Sequence, residues 1–555
     1  MGGYSAGGAA GEVFFIGPAS QTSAIGGAGG DSSSNTIKLG GVSSLTGDIY
    51  GGYSQGGRAN GASAGVTGAG GNAENNHVTL TGTELSIAGA VYGGYSADGD
   101  GTLQPNRAFS GNTLTLNGYR GSVKGIYNFE QYNWLLPKDV VNQDTLIKIT
   151  GSDKVDLNNT QHTVAMVSDG NRLNEGDKVI LIDKAQGTSS PTSVQVEQGH
   201  FIIYDAQLGI ENDAFVLNID SKSDTTPLPP SPAGRLNPKS ESFLQGRAAA
   251  LAFTNQGTDM IRESLSSCVT DMFFITDGGT NRYDTGSHIR IRDFKMALGL
   301  RKCFELQNTS QVVFGAFIDH GQGNYDSYNS FAGYGDVRGS GDLRYTGAGL
   351  LFHMDVAGTS INKNAKPVAG IKEGVYLDAV MRAGRVKTDF SSNDLIDAEG
   401  VRGHYHSKSQ YVSAMAGIGY VFNLDDQQSV DVYSRYSWSH INADKVMVGN
   451  DKLSFDRDNS SRLRAGTRYT YAVTQHIAPY AGLAYEHEFE GKVSGKVYDM
   501  SIKGADLGGS TGIFEVGVST TPIASVSAIK LDVGVQGFFG ERKGATGSIN
   551  LSYEY

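Results

Sequence analysis

The sequence lacks an apolar run of the 18 or so residues that a transmembrane helix needs, and it lacks any run of Lys or Arg. The first absence excludes a membrane-spanning helix but not a β-barrel, whose strands alternate in polarity. The second, with a net charge of −12, argues against nucleic-acid binding. The first residues have no basic region and no apolar core, so no signal peptide is predicted. Because the chain begins within a repeat, we expect an export signal and further repeats upstream of it.

Charged residues make up only 18% of the chain, and two Trp stand beside 27 Tyr and 23 Phe. Gly is abundant, with 77 residues in 555. Gly, Tyr, Ser and Asn in these proportions are typical of many short strands joined by tight turns. The composition therefore predicts an all-β protein.

Three segments that begin at Asn35, Asn76 and Asn112 repeat one pattern. In each, N-x-[IVL]-x-L is followed by Ile-Tyr or Val-Tyr after 14 or 15 residues. Units of this kind bury their apolar faces only by stacking on one another. The pattern predicts a β-solenoid over 1–137, with a less Gly-rich β region continuing over 138–220.

The motif G-x-S-x-G, typical of serine hydrolases, occurs around Ser5, Ser54 and Ser63. A nucleophile has no reason to recur in a repeat, and no helix-forming segment follows any copy. The GGYS segments are therefore predicted to be turns whose Gly residues adopt positive φ. Ser32, within a GDS-like motif, is predicted to be a loop residue for the same reasons.

A Pro-rich segment, 221–236, predicts a linker. It is followed by the one convincing helix, 237–267, which is rich in Ala and mixed in polarity. Such a helix suits a narrow polar surrounding better than an apolar one, although an ordinary surface helix remains the alternative.

From 268 to the end, the segments alternate between apolar and polar residues, as two-faced strands do. One face carries Arg462, Arg464, Arg468, Glu486 and Glu488, which predicts a lumen lined by charge. Aromatic residues lie near the strand ends, as in the interfacial girdles of membrane barrels, with Trp438 among them. Twelve strands are predicted, near 271–278, 287–303, 311–321, 342–354, 373–389, 408–422, 428–442, 459–474, 475–489, 511–521, 527–540 and 543–555. The segment 321–342 between two of them is predicted to be a long loop.

These features together resemble the type V autotransporters of Gram-negative bacteria. The resemblance rests on Gly-rich repeats, a Pro-bearing linker, a helix and a twelve-strand segment that ends in GSINLSYEY. It implies a right-handed β-solenoid passenger fragment, then a 12-stranded antiparallel transmembrane β-barrel over 268–555 with a pore-lining helix at its N-terminal side. The region 138–220 would resemble an autochaperone segment. Ile549, Leu551, Tyr553 and Tyr555 would form the outer-membrane assembly signal.

The resemblance also implies partners and a location. The barrel would lie in outer-membrane lipid, after periplasmic chaperones and the barrel-assembly machinery had acted on it. The passenger would lie at the cell surface and bind an unidentified ligand, most simply as an adhesin. No cofactor, metal or enzymatic activity is expected. Some family members cleave themselves between adjacent Asn residues, but Asn237 and Asn255 are solitary, so no such cleavage is expected.

Two features stay open on the sequence alone. With the helix descending through the pore, Cys268 and Cys303 would both lie at the periplasmic rim, where a disulfide could join them. His404 and His406 share a strand face, as a metal pair would, but a loop tip is the favoured interpretation. The competing functions are a porin with an unrelated N-terminal extension and, with less support, a surface esterase.

Overall fold

The computed structural model describes residues 3–6, 26–41, 43–59, 66–187, 191–220, 233–262, 270–306, 310–361, 366–521 and 528–555. They form two compact units. The N-terminal unit is Met1–Asn237 with Asp397–Val401, and the C-terminal unit is Pro238–Ile396 with Arg402–Tyr555. No helix in the described part of the chain is long and apolar enough to cross a membrane.

The described part of the N-terminal unit consists of short strands and one 3₁₀ turn, Pro105–Arg107. The strands are β1 Tyr4–Ala6, β2 Thr36–Leu39, β3 Ser43–Leu45, β4 Ile49–Gln55, β5 His77–Thr81, β6 Leu85–Ile87, β7 Val91–Ala97, β8 Thr113–Asn117, β9 Gly121–Val123, β10 Ile126–Tyr127, β11 Gln131–Leu136, β12 Thr145–Ile149, β13 Val155–Asp156, β14 Gln161–Met166, β15 Lys178–Ile182, β16 Ala185–Gln186, β17 Thr192–Gln198, β18 Ile202–Glu211, β19 Ala214–Ile219 and β20 Arg235–Leu236.

Equivalent strands of successive repeats pair in parallel and in register. One sheet has the order β1-β4-β7-β10, and a second begins β2-β5-β8-β11-β14-β17. Ile49 pairs with Val91, and Tyr50 pairs with Tyr92. Apolar side chains of these strands face inward: Val78, Leu80 and Val91 are all 0% exposed. This pairing agrees with stacked repeats, and a right-handed β-solenoid stays a prediction.

The GGYS segments are strands, so the prediction that they are turns is wrong. They lie inside β4 and β7, and their Gly residues are not among those with positive φ. Instead, the lack of a side chain on these Gly residues lets neighbouring backbone segments approach closely. A Cβ on Gly51 would lie 2.2 Å from the carbonyl oxygen of Gly93, and one on Gly52 would lie 2.0 Å from that of Ser32.

The serines of these segments are structural. Ser54 is 0% exposed, and its Oγ donates to the carbonyl of Gly30 at 2.7 Å. The same Oγ accepts from the N–H of Gly71 at 2.8 Å. Ser32 is also buried, and its Oγ accepts from the N–H of Tyr53 at 3.1 Å. Ser63 lies outside the described residues.

The Asn that begins each repeat forms a hydrogen-bonded ladder. Asn35 Nδ2 donates to Asn76 Oδ1 at 2.9 Å, and Asn76 Nδ2 donates to Asn112 Oδ1 at 3.1 Å. Asn112 Nδ2 donates to the carbonyl of Ala73 at 3.1 Å. Asn76 and Asn112 are fully buried, so the hydrogen bonds between repeats are what satisfies their amides away from water.

Antiparallel strands occupy the C-terminal part of this unit. β17, β18 and β19 pair antiparallel, and β19 then pairs antiparallel with β15. Residues 221–232 of the predicted linker lie outside the described residues. Its last residues form β20, which pairs with β18.

The C-terminal unit begins with a 3₁₀ segment, Pro238–Leu244, that leads into the helix α1, Gln245–Arg262. The first turns of the predicted helix are thus 3₁₀, and 263–269 lie outside the described residues.

Twelve strands form a closed barrel. They are β21 Asp271–Asp284, β22 His288–Glu305, β23 Gln311–Phe331, β24 Gly335–Asp355, β25 Gly374–Ile396, β26 Arg402–Asn423, β27 Gln428–Ile441, β30 Asp458–Tyr471, β31 Ile477–Glu490, β34 Gly509–Thr520, β35 Ile529–Gly540 and β36 Arg542–Glu554. β36 pairs with β21 and closes the ring.

Several barrel strands are longer than predicted. The segment 321–342 is not a long loop, because β23 continues to Phe331 and β24 begins at Gly335. Its Gly, Ser, Asp and Tyr residues pair in the same antiparallel ladder as the apolar residues nearer the other end. His404 and His406 likewise lie in β26, so the loop-tip interpretation is wrong. Strand pairing depends on backbone hydrogen bonds and not on apolar side chains. The pattern of polar and apolar residues therefore does not reveal where a paired strand ends.

Two segments between barrel strands form a small sheet that the sequence did not predict. It consists of β28 Asp444–Val448, β29 Asp451–Phe455, β32 Gly495–Val497 and β33 Met500–Ile502, all antiparallel. We call it the loop sheet. Its Val448, Leu453 and Val497 are 0% exposed, so the sheet buries apolar side chains.

The Asn ladder predicts a localised loss of stability in Asn76→Ala. The substitution removes three hydrogen bonds of the Asn76 amide, two from Asn35 and one to Asn112, a cost of about 2–4 kcal/mol. Hydrogen–deuterium exchange of His77–Thr81 should accelerate accordingly. Asn72→Ala, at an exposed position shortly before Asn76 in the chain, is the matched control. Equal exchange in the two variants would contradict a stabilising ladder.

His162 predicts that the N-terminal unit weakens in acid. Burial lowers the pKa of His162 from 6.5 to about 4. Trp134 Nε1 donates to its Nδ1 at 3.3 Å, so protonation of that nitrogen would break the bond. Because the folded-state pKa is the lower one, stability is full above about pH 6.5 and falls by about 3 kcal/mol as the pH drops toward 4.

His162→Phe keeps a ring in contact with Tyr132 and Phe215 but cannot titrate. Urea unfolding between pH 4 and pH 7.5 should therefore show a flatter pH dependence in this variant. His77→Phe, at an exposed site, controls for the substitution. An unchanged pH slope in His162→Phe would show that another group is responsible.

Candidate functional site: the helix in the barrel lumen

Helix α1 lies inside the closed barrel. Seventeen of its 18 residues are buried, including polar ones such as Gln245, Asn255 and Gln256. Its side chains bond to strands on opposite sides of the ring: Gln256 Nε2 donates to Tyr283 in β21 at 2.9 Å, and Asn255 Nδ2 donates to Ser460 in β30 at 2.8 Å. The helix therefore occupies the lumen rather than the outer surface.

The barrel strands present two chemically different faces. In β30, Leu463 and Tyr469 are each 40% exposed, whereas Arg462 and Arg464 are each 4% exposed. The same alternation places apolar side chains outward around the ring. Among the exposed ones are Phe274, Leu298, Phe314, Ile318, Leu350, Met381, Val412, Ile418, Val432, Leu483, Phe514, Val535 and Leu551. An apolar outer face around a charged interior is the arrangement that lipid requires of a barrel.

One carboxylate on the helix binds three arginines of the barrel wall. Asp259 accepts from Arg462 at 3.2 and 3.3 Å, from Arg464 at 3.3 Å and from Arg542 at 3.3 Å. Glu486 accepts from Arg464 Nε at 2.8 Å and shares the positive charge. We call these five residues the Asp259 cluster. It connects the helix to β30, to β31 and to the closing strand β36.

Arg247 fixes the N-terminal end of the helix. Its side chain is 1% exposed, and its Nε donates to Asp458 Oδ2 at 2.5 Å. Nη1 donates to Ser409 Oγ at 2.8 Å, and Nη2 donates to the carbonyls of Asn442 at 2.7 Å and Asp456 at 3.1 Å. The guanidinium thus has both an ionic partner and acceptors for its donors, as a buried arginine requires.

The barrel wall also reaches the helix backbone. Arg382 Nη1 donates to the carbonyl of Thr254 at 2.7 Å and to Thr258 Oγ1 at 3.2 Å. Its other terminal nitrogen pairs with Asp319 in β23 and donates to Tyr411 at 2.9 Å. A side chain in this position restrains the helix along its axis.

Two glycines let aromatic residues of the wall approach the helix. A Cβ on Gly246 would lie 2.5 Å from the hydroxyls of Tyr325 and Tyr405. A Cβ on Gly257 would lie 2.6 Å from Arg382 Nη1. The two positions are about three helical turns apart and share one face of α1. The small residues of the helix therefore match a lumen that is already filled by large side chains.

The predicted lumen residues divide among three sets of contacts. Arg462, Arg464 and Glu486 belong to the Asp259 cluster. Arg468 pairs instead with Glu515 in β34, at 2.6 Å. Glu488 accepts from Ser460 Oγ at 2.6 Å.

The predicted assembly-signal residues and cysteines lie elsewhere. Ile549, Leu551, Tyr553 and Tyr555 are 47%, 43%, 48% and 70% exposed. Cys303 is disulfide-bonded, while Cys268 lies outside the described residues. Pairing of the two stays a prediction.

The histidine pair has a carboxylate beside it. His406 Nδ1 lies 2.8 Å from Asp389 Oδ1, and no group of three metal-ligating residues occurs in the described part of the chain.

Sequence reasoning missed Asp259, Arg247, Arg382 and Arg542. Asp259 and Arg247 had a signal, because they are charged residues on a helix assigned to a polar pore. Arg462 and Arg464 were predicted to face the lumen, but their pairing with Asp259 had no signal, since only the closed ring brings β30 and β36 to the same helix face.

A closed barrel with an apolar exterior and a helix bonded into its lumen defines a plugged outer-membrane barrel. Residues 275–528 match the family model described as "Autotransporter beta-domain". The resemblance to autotransporters is thus confirmed over the barrel residues 275–528.

Three solved structures illustrate what the chain is similar to. The transport unit of the autotransporter AIDA-I from Escherichia coli is 12% identical, with a TM-score of 0.42, and the match covers 56% of this chain and 99% of that one. The translocator domain of NalP from Neisseria meningitidis is 11% identical, with a TM-score of 0.41 and coverage of 56% and 98%. The β domain of the Bordetella autotransporter BrkA is 12% identical, with a TM-score of 0.39 and coverage of 52% and 100%. No curated protein matches the sequence.

The Asp259 cluster predicts that Asp259→Asn loosens the helix in the lumen. The amide cannot neutralise three arginines, and breaking one partner of a buried ionic cluster costs about 3–5 kcal/mol. Single-channel recordings in planar bilayers should show open events at least about tenfold more often than in the unchanged chain. A deletion of 238–262 provides the fully open reference.

Asp326→Asn is the matched control. Asp326 pairs with Arg292 on the barrel exterior, where both side chains are about half exposed, and such pairs contribute under about 1 kcal/mol. It should leave the conductance unchanged. If Asp259→Asn conducts no more than Asp326→Asn, the cluster does not hold the helix.

Proposed function

We propose that the barrel anchors the protein in the outer membrane and that the N-terminal unit is exported through it and displayed at the cell surface. The observation that carries this proposal is the position of α1. The helix joins the N-terminal unit to the first barrel strand, and it lies in the lumen. A chain that has passed through its own barrel leaves its connecting segment there.

The N-terminal unit is proposed to be a passenger with a binding rather than a catalytic role, most simply an adhesin. Its G-x-S-x-G serine at position 54 is buried, with both hydrogen-bonding functions of its hydroxyl used by the backbone. A fluorophosphonate probe is expected not to label it. Parallel strands stacked in register form a surface that becomes longer with each repeat, and such a surface suits contact with another cell or matrix.

Folding outside the cell is proposed to drive export. The β17–β19 region is the last part of the N-terminal unit before the helix, so it would emerge first and could seed the stacking of the earlier repeats. Its apolar core, including Phe201, Ile203 and Tyr204 at 0% exposure, supports stable folding of this region. The passenger is proposed to stay attached, because Asn255 is followed by Gln and Asn237 by Pro.

The alternative is a porin with an unrelated extension. A porin conducts whether or not α1 is present, whereas the lumen described above conducts only once the helix leaves it. The bilayer recordings of the 238–262 deletion therefore separate the two functions.

Protease treatment of intact Gram-negative cells tests the proposal. With an export signal fused at its start, the chain should lose its N-terminal unit to added protease, while the barrel stays protected in the membrane. Before treatment the two parts should run as one polypeptide on a denaturing gel. Deletion of Tyr555, proposed to impair assembly, should leave the N-terminal unit protected, and Tyr555→Phe should behave as the unchanged chain. A barrel in the outer membrane with a protected N-terminal unit would overturn the proposal.

A further inference from the structure

Five tyrosines form two stacks on the sheet β1-β4-β7-β10. Tyr50, Tyr92 and Tyr127 occupy one register position, and Tyr53 and Tyr95 occupy another. We call them the tyrosine ladder. All five are half-buried, so part of each residue remains open to solvent.

The rings lie close together and nearly parallel. Centroids of Tyr50 and Tyr92 are 4.9 Å apart with an interplanar angle of 11°, and those of Tyr92 and Tyr127 are 4.9 Å apart at 19°. Tyr53 and Tyr95 are 4.8 Å apart at 8°. The two stacks also meet edge to face, with Tyr50 and Tyr53 centroids 5.3 Å apart. Each phenol therefore has another phenol as its nearest aromatic neighbour in the next repeat.

Two carboxylates lie beside the first stack. Tyr50 donates its hydroxyl to Asp48 at 3.2 Å, and Tyr127 donates to Asp153 at 3.2 Å. Burial, followed by the nearby Asp48 charge, raises the pKa of Tyr50, so its phenol stays protonated at neutral pH. One-electron oxidation of a phenol expels its proton, and a hydrogen-bonded carboxylate is placed to accept it.

We propose that the tyrosine ladder is a site of oxidative cross-linking that joins neighbouring repeats through dityrosine bonds. The oxidant is a haem peroxidase that consumes hydrogen peroxide. Each of two stacked phenols loses one electron and its hydroxyl proton, and the two phenoxyl radicals form a carbon–carbon bond between their ortho positions. Re-aromatisation transfers the two ring hydrogens to the phenol oxygens. The two electrons and two protons released reduce one hydrogen peroxide to two waters.

Such bonds would connect strands that otherwise depend on hydrogen bonds and stacking. A covalent bond between repeats restricts the unfolded chain more than the folded one and therefore stabilises the stack. The chemistry depends only on the N-terminal unit and stands apart from the export proposal.

Treatment of the full chain in detergent micelles, at low protein concentration, with a haem peroxidase and hydrogen peroxide tests the proposal. Peptide mapping should recover pairs joined with the loss of two hydrogens, Tyr50–Tyr92, Tyr92–Tyr127 or Tyr53–Tyr95, together with dityrosine fluorescence. The double variant Tyr92→Phe, Tyr95→Phe keeps the stacked rings and should reduce the yield of repeat-to-repeat pairs at least about tenfold. Tyr119→Phe, at a buried site outside the ladder, should leave the yield unchanged.

Asp48→Asn tests whether the Asp48 carboxylate promotes coupling, and a second tyrosine pair in the same molecule serves as the reference. The Asn keeps an oxygen for the N–H of Ala90, which Asp48 Oδ1 accepts at 2.8 Å. The rate of Tyr50–Tyr92 coupling should fall relative to that of Tyr53–Tyr95, and an unchanged ratio would refute the role of Asp48. Repeat-to-repeat pairs that are absent from the native chain, or equally abundant in the double variant, would overturn the proposal as a whole.

Discussion

Buried charge inside the barrel can be stable only if each charged group has a partner, and this constraint governs the rest of the structure. Asp259 satisfies it for three arginines that the wall directs inward. Arg247 and Arg382 are buried cations that meet the same requirement, because wall carboxylates and backbone carbonyls accept their hydrogen bonds. The helix is therefore part of the interior of the barrel rather than a segment that happens to pass through it.

The same constraint explains the sequence of the helix. The lumen offers α1 both charged and apolar wall residues, because Met260 and Ile261 pack against an apolar cluster that includes Phe273. The helix is accordingly buried at 17 of its 18 positions while carrying Gln, Asn and Arg among the buried residues. Gly246 and Gly257 leave room for the tyrosines and Arg382 that fill the lumen. The wall strands meet the opposite requirement on their other face, where apolar side chains such as Ile318 and Leu483 are more than 60% exposed. A single period of two along each strand serves both environments.

The closed twelve-stranded barrel and the helix before it were predictable from the sequence, because alternation of polarity is a local property. Strand length was not, since Tyr325 and Ser327 lie in β23 through backbone pairing that polarity does not record. The GGYS segments were assigned to turns because Gly commonly supplies positive φ, whereas here it allows backbones to pack at close range. Asp259 could be found in the helix but not matched to Arg462 and Arg542, which are distant in sequence and meet only when the ring closes.

The most direct test of the account uses the two tryptophans. Trp134 is buried in the N-terminal unit, while Trp438 lies on the outward face of β27 with Val432 and Tyr436. In a Trp134→Phe variant reconstituted in vesicles, Trp438 is the single reporter of the barrel exterior. If this face contacts lipid, lipids brominated near the headgroup will quench its fluorescence strongly and aqueous iodide will quench it weakly. Quenching by iodide without quenching by brominated lipid would show that this face contacts water and would contradict a membrane-embedded barrel.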